Sequence, residues 1–292
     1  VTTIRALTEP DIPAAAEVQL NSFDDLDRRQ RDQPAPITDA RREWVGSRLR
    51  HFLVHDPDGS FVATSDDGEV TGVALALVRG DLWGLSLLVV APGLQSAGTG
   101  RRLLDASLGY AQGCDRAVIL SSSDPRAMRL YATSGFDLHP QVEASGVPDL
   151  RDCPAGVERV RPAEPDDAAV LEEIDQQVRR ATRGTDHMLL GARSSAYLCH
   201  DDAGSGYAYC TPDGHVAALS ATDEVTAGDL LWRCFTATAA GGASATVGHI
   251  TAGQQWAVRT ALAARLSLRP VGPVLWRGGS PPPAYLPSGA LL

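Results

Sequence analysis

The sequence restarts halfway along. Val160-Arg161-Pro162-Ala163-Glu164-Pro165-Asp166 echoes Ile4-Arg5-Ala6-Leu7-Thr8-Glu9-Pro10-Asp11, about 156 residues earlier. A predicted helix over 168–180 answers one over 11–23. Gly206-Tyr207-Ala208-Tyr209 answers Gly72-Val73-Ala74-Leu75, and the turn Asp213-Gly214 answers Asp66-Asp67-Gly68. Further on, an offset of 130 places Gly98 on Gly228 and Leu138-His139-Pro140 on Leu268-Arg269-Pro270. A chain that repeats at this scale is built from two copies of one unit, and 292 residues suit two domains. The fall from 156 to 130 makes residues 24–40 an insertion in the first copy. The boundary is expected within 142–156, where Pro148 and Pro154 fall, giving domains 1–145 and 155–292.

Within the first copy the pattern is mixed α/β. Strands are predicted over 3–7, 61–64, 69–78, 82–90 and 117–120, with another opening at 136–138. Helices are predicted over 11–23, 40–52, 100–112 and 125–134. The charged stretch 24–40, with Pro34 and Pro36, reads as loop or irregular helix. The segment 280–292, with Pro281-Pro282-Pro283, reads as extended and irregular. No run of eighteen apolar residues predicts a membrane span, and residues 1–5 do not read as a signal peptide. The five cysteines are scattered without a C-x-x-C, so neither a zinc site nor a disulfide framework is expected, and a reduced, cytoplasmic setting fits. A net charge of −10 argues against a general nucleic-acid binder.

Chemistry concentrates where the apolar stretch Leu87-Leu88-Val89-Val90 ends in Ala91-Pro92 and a short loop, Gln95-Ser96-Ala97-Gly98-Thr99-Gly100, leads into Arg101-Arg102-Leu103-Leu104. A strand thus delivers a glycine-bearing loop to the start of a helix. Unpaired N–H groups and the positive end of the helix dipole suit a phosphate there. Gly98 and Gly100, lacking Cβ, let an anion approach the backbone. A plain turn between strand and helix is the competing reading of this segment alone. About thirty residues on comes Leu130-Tyr131-Ala132-Thr133-Ser134-Gly135-Phe136.

The combination of V-x-P, Q-x-x-G-x-G and, further on, Y-x-x-x-G-F resembles the GCN5-related N-acetyltransferase (GNAT) family. The resemblance covers the first copy, with the second as a degenerate repeat. It implies an α/β (α+β, mixed-sheet) fold with two tandem GNAT-like domains, each a mostly antiparallel sheet flanked by helices. It implies acetyl-CoA (coenzyme A) as cofactor. The amides of Gln95, Ser96, Ala97, Gly98, Thr99, Gly100 and Arg101 would hold the pyrophosphate. The backbone of Leu88, Val89 and Val90 would pair with the pantetheine arm as an added strand, with a strand amide near Val89 or Val90 stabilising the oxyanion. Tyr131 matches the tyrosine that protonates the departing thiolate, a role its phenol suits. Asp124 stands where the family often has an asparagine touching the pantetheine arm, and is equally placed to cap the helix starting at Pro125.

These features point to an N-acetyltransferase in which the primary amine of a small molecule, or a peptide N-terminus, attacks the acetyl group directly. The alternative is a non-catalytic acyl-CoA-binding sensor or scaffold of the same fold. The general base is open. The strand Leu82-Trp83-Gly84-Leu85-Ser86-Leu87 carries no carboxylate, with Asp81 only at its far end, leaving a water chain, an acidic residue such as Asp24, Asp25 or Glu43, the carboxylate of Leu292, or an amine that arrives already neutral. The chain is expected to be a monomer or homodimer, with no nucleic-acid or membrane partner. His51 and His55 read as two unrelated histidines, and His187 as a loop residue without obvious partners. In the second copy the 130 offset puts Val225, Leu230 and Ala261 where the first has Gln95, Gly100 and Tyr131. That copy is therefore expected to shape the acceptor pocket, with residues 24–40 over its entrance.

Overall fold

The computed structural model describes residues 2–30, 36–95 and 97–292. The chain divides into two compact units, Val1–Ile119 with Asp124–Thr133, and Leu120–Ser123 with Ser134–Leu292.

The first unit runs β1 (Thr3–Ala6), α1 (Ile12–Gln30), α2 (Asp39–His55), β2 (Ser60–Thr64), β3 (Val70–Arg79), β4 (Leu82–Val90), α3 (Thr99–Gly109), β5 (Arg116–Leu120) and α4 (Pro125–Ala132). Its strands lie in the order β1-β2-β3-β4-β5. The first three pairings are antiparallel and the last is parallel. Leu103 of α3 packs on Ala63 and Ala74, with Leu88 and Val90 beside them. The buried Trp83 indole donates to the Ser107 carbonyl at 3.0 Å, which fixes α3 on β4.

The second unit runs β6 (Asp137–Gly146), β7 (Arg161–Pro162), α5 (Ala168–Arg179), α6 (Asp186–Gly191), β8 (Ser195–Asp201), β9 (Gly204–Cys210), β10 (His215–Ala221), α7 (Glu224–Ala240), β11 (Ala245–Thr251), α8 (Gln255–Ala263), β12 (Ser267–Arg277) and β13 (Tyr285–Leu286). Its sheet order is β12-β6-β11-β10-β9-β8-β7, with β13 on β10. Only β10–β11 is parallel. Leu230, Leu231 and Phe235 of α7 anchor its core with Trp256 and Ala257 of α8.

From β7 to β12 the elements repeat, in order and type, those from β1 to β6. The mixed α/β fold and the duplication are as the sequence predicts. Four local expectations are corrected. The helix read over 11–23 continues through 24–30, because Asp24–Arg28 at 2.9 Å and Asp25–Arg29 at 2.7 Å pair one turn apart on it. Residues 31–35 lie outside the described residues. The stretch 142–156 opens as strand, since β6 reaches Gly146 and pairs with β11 and β12. Segment 280–292 is ordered by β13 against β10.

Fourth, Gly228 does not correspond to Gly98. Gly98 is the N-cap of α3, whereas Gly228 lies inside α7, whose N-cap is Asp223. Only Thr222 and Asp223 separate β10 from α7. The whole loop has been shortened in the second copy, and the equivalences of Val225 and Leu230 fall with it.

Candidate functional site

The site follows from how β4 leaves β5. The parallel ladder joins Leu82 to Arg116 and ends at Leu85 opposite Ile119. There the register against β3 slips by one residue, leaving Ser86 as a bulge between Leu85 and Leu87. The Ala91 N–H donates to the Thr71 carbonyl at 2.8 Å. Alternation along an antiparallel strand then turns the Val89 backbone toward β3, and the Leu88 and Val90 N–H and C=O groups to the opposite, open side. The slot-facing backbone is therefore that of Leu88 and Val90. The Val90 carbonyl there accepts from Ser22 Oγ at 3.2 Å and Gln95 Nε2 at 3.1 Å.

Arg48 of α2 braces the bulge. Its guanidinium donates to the Ser86 carbonyl and, at 2.6 Å, to Ser86 Oγ. Burial lowers its proton affinity to about 10.

The loop meets the strand at α3. Gly98 has φ +87° as the N-cap, a left-handed conformation that glycine adopts without a Cβ clash. It brings no side chain to the first amides of the helix, and nothing lies within 4 Å of where its Cβ would be. Open N–H groups at a helix start, with open space before them, fit a phosphate. Gly100 is the meeting point of three elements. A Cβ on it would lie 3.9 Å from both Leu130 of α4 and Val90 of β4. Arg101 ties α3 to α4 through Thr133 Oγ1 at 2.8 Å, and Arg102 donates to the Thr2 carbonyl at 2.6 Å. Gln95, Gly98, Thr99, Gly100 and Arg101 are thus gathered with the end of β4. Ala97 is exposed beside them, and Ser96 lies outside the described residues.

Tyr131 is buried on α4, at 5% exposure. Burial, with the Asp124 charge second, pushes its phenol well above the ordinary value, so it keeps its proton at neutral pH. Gly135, at φ +85°, stops the chain just beyond α4. Asp124 caps that helix, accepting the Arg126 N–H at 2.8 Å. It also pairs with the Arg126 side chain at 2.6 Å and lies 3.7 Å from Arg29. The bond from Arg126, outweighing a burial penalty, holds its carboxyl below the usual range.

The candidate bases are mostly committed elsewhere. Asp81 is paired with Arg116, Asp24 with Arg28 and Asp25 with Arg29, while Glu43 is exposed on α2. Leu292 is buried in the second unit, its carbonyl oxygen 3.1 Å from Arg179 Nη2.

The sequence reading missed a buried polar cluster in the second unit. Tyr207 donates to Asp175 at 2.6 Å, and Arg183 donates to Tyr207 at 2.9 Å and to Tyr285 at 2.8 Å. His187 is on α6, not in a loop, and lies 3.2 Å from Asp175. Glu172, Asp175 and His187 are close enough to share a cation. However, Arg183 at 3.6 Å and Arg179 at 3.9 Å already neutralise Asp175. Burial opposes the Asp175 charge, yet these cations and His187 hold its carboxyl below the usual range. The available signal was Asp175 and Arg179 in phase with the buried Leu171 and Ile174 of α5.

A strand that parts from its parallel neighbour lies beside a helix start opened by glycine, an arrangement with the shape to take an elongated ligand. Residues 20–136 match the Acetyltransferase (GNAT) family. A Pyrococcus horikoshii protein assigned as an acetyltransferase superposes with TM-score 0.75 at 16% identity, over 100% of this chain and 96% of that one. A GCN5-related N-acetyltransferase from Sphaerobacter thermophilus gives 0.60 at 14%, over 94% and 95%. A tandem GNAT protein from the clavulanic acid biosynthesis pathway gives 0.59 at 15%, over 96% and 99%. At these identities the likeness is one of fold. No curated protein matches the chain by sequence. The family match is confined to residues 20–136, while the likeness of fold to these solved structures, a tandem GNAT protein among them, runs over nearly the whole chain. Among the described residues, no helix is long and apolar enough to cross a membrane.

Proposed function

We propose that the chain transfers acetyl from acetyl-CoA to the primary amine of a small molecule or a peptide N-terminus. The observation that carries this reading is the open side of β4 next to the uncapped start of α3. Bound acetyl-CoA supplies an activated thioester and an amide-bearing arm.

The chain's own groups supply the rest. Leu88 offers its backbone N–H and C=O, and Val90 its N–H, to an added strand, which is how peptide-like ligands gain affinity at a sheet edge; the Val90 carbonyl is already taken by Ser22 and Gln95. Amides from Gln95 to Arg101 receive the pyrophosphate, with glycine at 98 and 100 leaving room for it. A slot-facing N–H of β4 stabilises negative charge developing on the acetyl oxygen. Tyr131, protonated at neutral pH, gives its proton to the leaving sulfur, and the proton that the attacking nitrogen sheds as the amide forms replaces it. Asp124 fixes the start of α4 and thereby Tyr131, and its contact with the arm belongs to this proposal. The first unit carries this chemistry. Val225 and Leu230 are displaced from the loop positions, and Ala261 occupies the place of Tyr131 at the offset of 130, which α4 and α8 keep.

Arginine pairing of Asp24, Asp25, Asp81 and Asp124 favours a second reading, a non-catalytic acyl-CoA-binding protein. An amine that reaches the site already neutral needs none of them. A thiol-release assay with acetyl-CoA over a panel of primary amines separates the two. Release that depends on an amine and is lost in the Tyr131→Phe variant is the expected result. Binding of acetyl-CoA without release over the whole panel leaves the sensor reading standing.

A further inference from the structure

The second unit has its own slot, and the slot is full. β10 pairs with β11 only at His215 and Val216, then parts from it as β4 parts from β5. Their partners put the two strands in register. Val90 faces Gly72 and Leu88 faces Ala74 on β3, while Ala221 faces Gly206 and Leu219 faces Ala208 on β9. Each strand has one bulged residue, Ser86 in β4 and Ala217 in β10. The Thr222 N–H donates to the Ser205 carbonyl, as Ala91 does to Thr71. By the same alternation, Leu219 and Ala221 turn their backbone groups to the slot, as Leu88 and Val90 do.

Those groups already have an occupant. The Ala221 N–H donates to the Ala284 carbonyl at 3.0 Å, and Leu219 and Ser220 lie opposite Leu286 and Tyr285. The approach to β13 is held by α8, with Gln254 Nε2 on the Pro282 carbonyl at 2.9 Å and Trp256 Nε1 on that of Pro283 at 2.8 Å. Beyond β13, Arg183 and Arg179 reach the carbonyls of Leu291 and Leu292. The helix start beside this slot is closed too. Asp223 caps α7, its carboxylate accepting the Thr226 N–H at 2.8 Å. An arriving phosphate would meet a negative charge there, whereas at Gly98 it meets open amides.

We propose that segment 282–292 is the built-in occupant of the second unit's slot, a peptide strand standing where the first unit takes the amide arm of its acyl carrier. Each chain then has one acyl-CoA site. The comparison with an acyl carrier rests on the function proposed above; the occupancy of β10 by β13 does not.

Hydrogen exchange of the full chain, with and without saturating coenzyme A, tests this together with calorimetric stoichiometry. In the free protein, amides of 219–221 and 284–286 are expected to exchange at least about 100-fold more slowly than in an unfolded chain. Fast exchange there overturns the proposal. With coenzyme A, slowed exchange confined to 86–102 and one equivalent bound support it. Altered exchange in 215–221, or two equivalents bound, overturns it. Slow 219–221 amides with no coenzyme A bound at all support the built-in strand while overturning the function proposed for the first unit.

Discussion

Arg5 donates from its two terminal guanidinium nitrogens to the Asp11 carboxylate, at 2.6 and 2.7 Å. The same carboxylate accepts the Thr8 N–H at 2.9 Å. It thereby clips the end of β1 to the short turn that opens α1. Arg161 and Asp167 repeat the pair at 2.7 Å, with the Glu164 N–H on Asp167, also at 2.7 Å. The echo that first showed the duplication is thus a structural device kept in both copies.

Asp11→Ala is expected to destabilise the chain by about 1–2 kcal/mol, the worth of a strong cap, read as a lower denaturation midpoint. The bond from Arg5 is the chief reason the Asp11 carboxyl lies well below its ordinary value. Its stabilising contribution is therefore present above the unfolded carboxylate pKa and lost as pH falls below it. The difference between wild type and variant should shrink steadily below about pH 4. A constant difference down to pH 2 would show that the pair does not act through its charge.

At Gly98, φ +87° excludes an unstrained side chain. Gly98→Ala costs about 1–2 kcal/mol if the conformation is kept, and otherwise shifts the first amides of α3. Acetyl-CoA affinity is expected to fall by about tenfold or more while circular dichroism stays unchanged. Gly228→Ala, inside α7, is the control, and should leave affinity where it was. Equal losses in the two variants would separate the loop from the ligand.

Tyr131→Phe keeps the buried ring and removes the proton. Turnover is expected to fall by about 10²–10⁴-fold, the usual worth of a placed acid, with acetyl-CoA affinity within about twofold of wild type. A matching loss of affinity would make Tyr131 a packing residue, and unchanged turnover would take it out of the mechanism.

What the sequence made legible was local and periodic. V-x-P, the glycine loop and Tyr131 are near one another in the chain, and their roles depend on backbone conformation that glycine and proline announce. The duplication was legible because 4–11 and 160–166 are short contiguous runs of like residues; Asp167, which makes the pair with Arg161, lies one residue past the second run. Long-range events were not. The 130 offset holds for Leu138-His139-Pro140 on β6 against β12, yet fails at Gly228, because a deletion ahead of α7 leaves no mark in composition. Three prolines hid β13, whose order comes from a partner 67 residues away at Leu219–Leu286. The charge pattern at 24–30 suited helix and loop alike until its arginines were seen pairing along α1. The buried cluster of Asp175, Arg183 and Tyr207 comes from α5, the segment beyond it and β9, with nothing in sequence to join them.

His249 provides a pH probe of the second unit. It is partly buried at φ +63°, its Nδ1 3.2 Å from Gln141 Oε1. Burial, with His215 a smaller influence, lowers its pKa to about 4. The unfolded chain takes up this proton near pH 6.5 and the folded chain does not. The unfolded state therefore binds more protons between pH 6.5 and 4, and stability falls as pH drops through that window, by about 3 kcal/mol at pH 4. His215, also lowered by burial, adds a loss of the same sign. Asparagine tolerates the left-handed conformation, so His249→Asn should fold with a shallower loss of melting temperature between pH 6.5 and 4. The residual slope then belongs to His215 and to acids. An unchanged slope would mean that His249 takes up its proton in the folded chain, and that its burial does not lower its pKa.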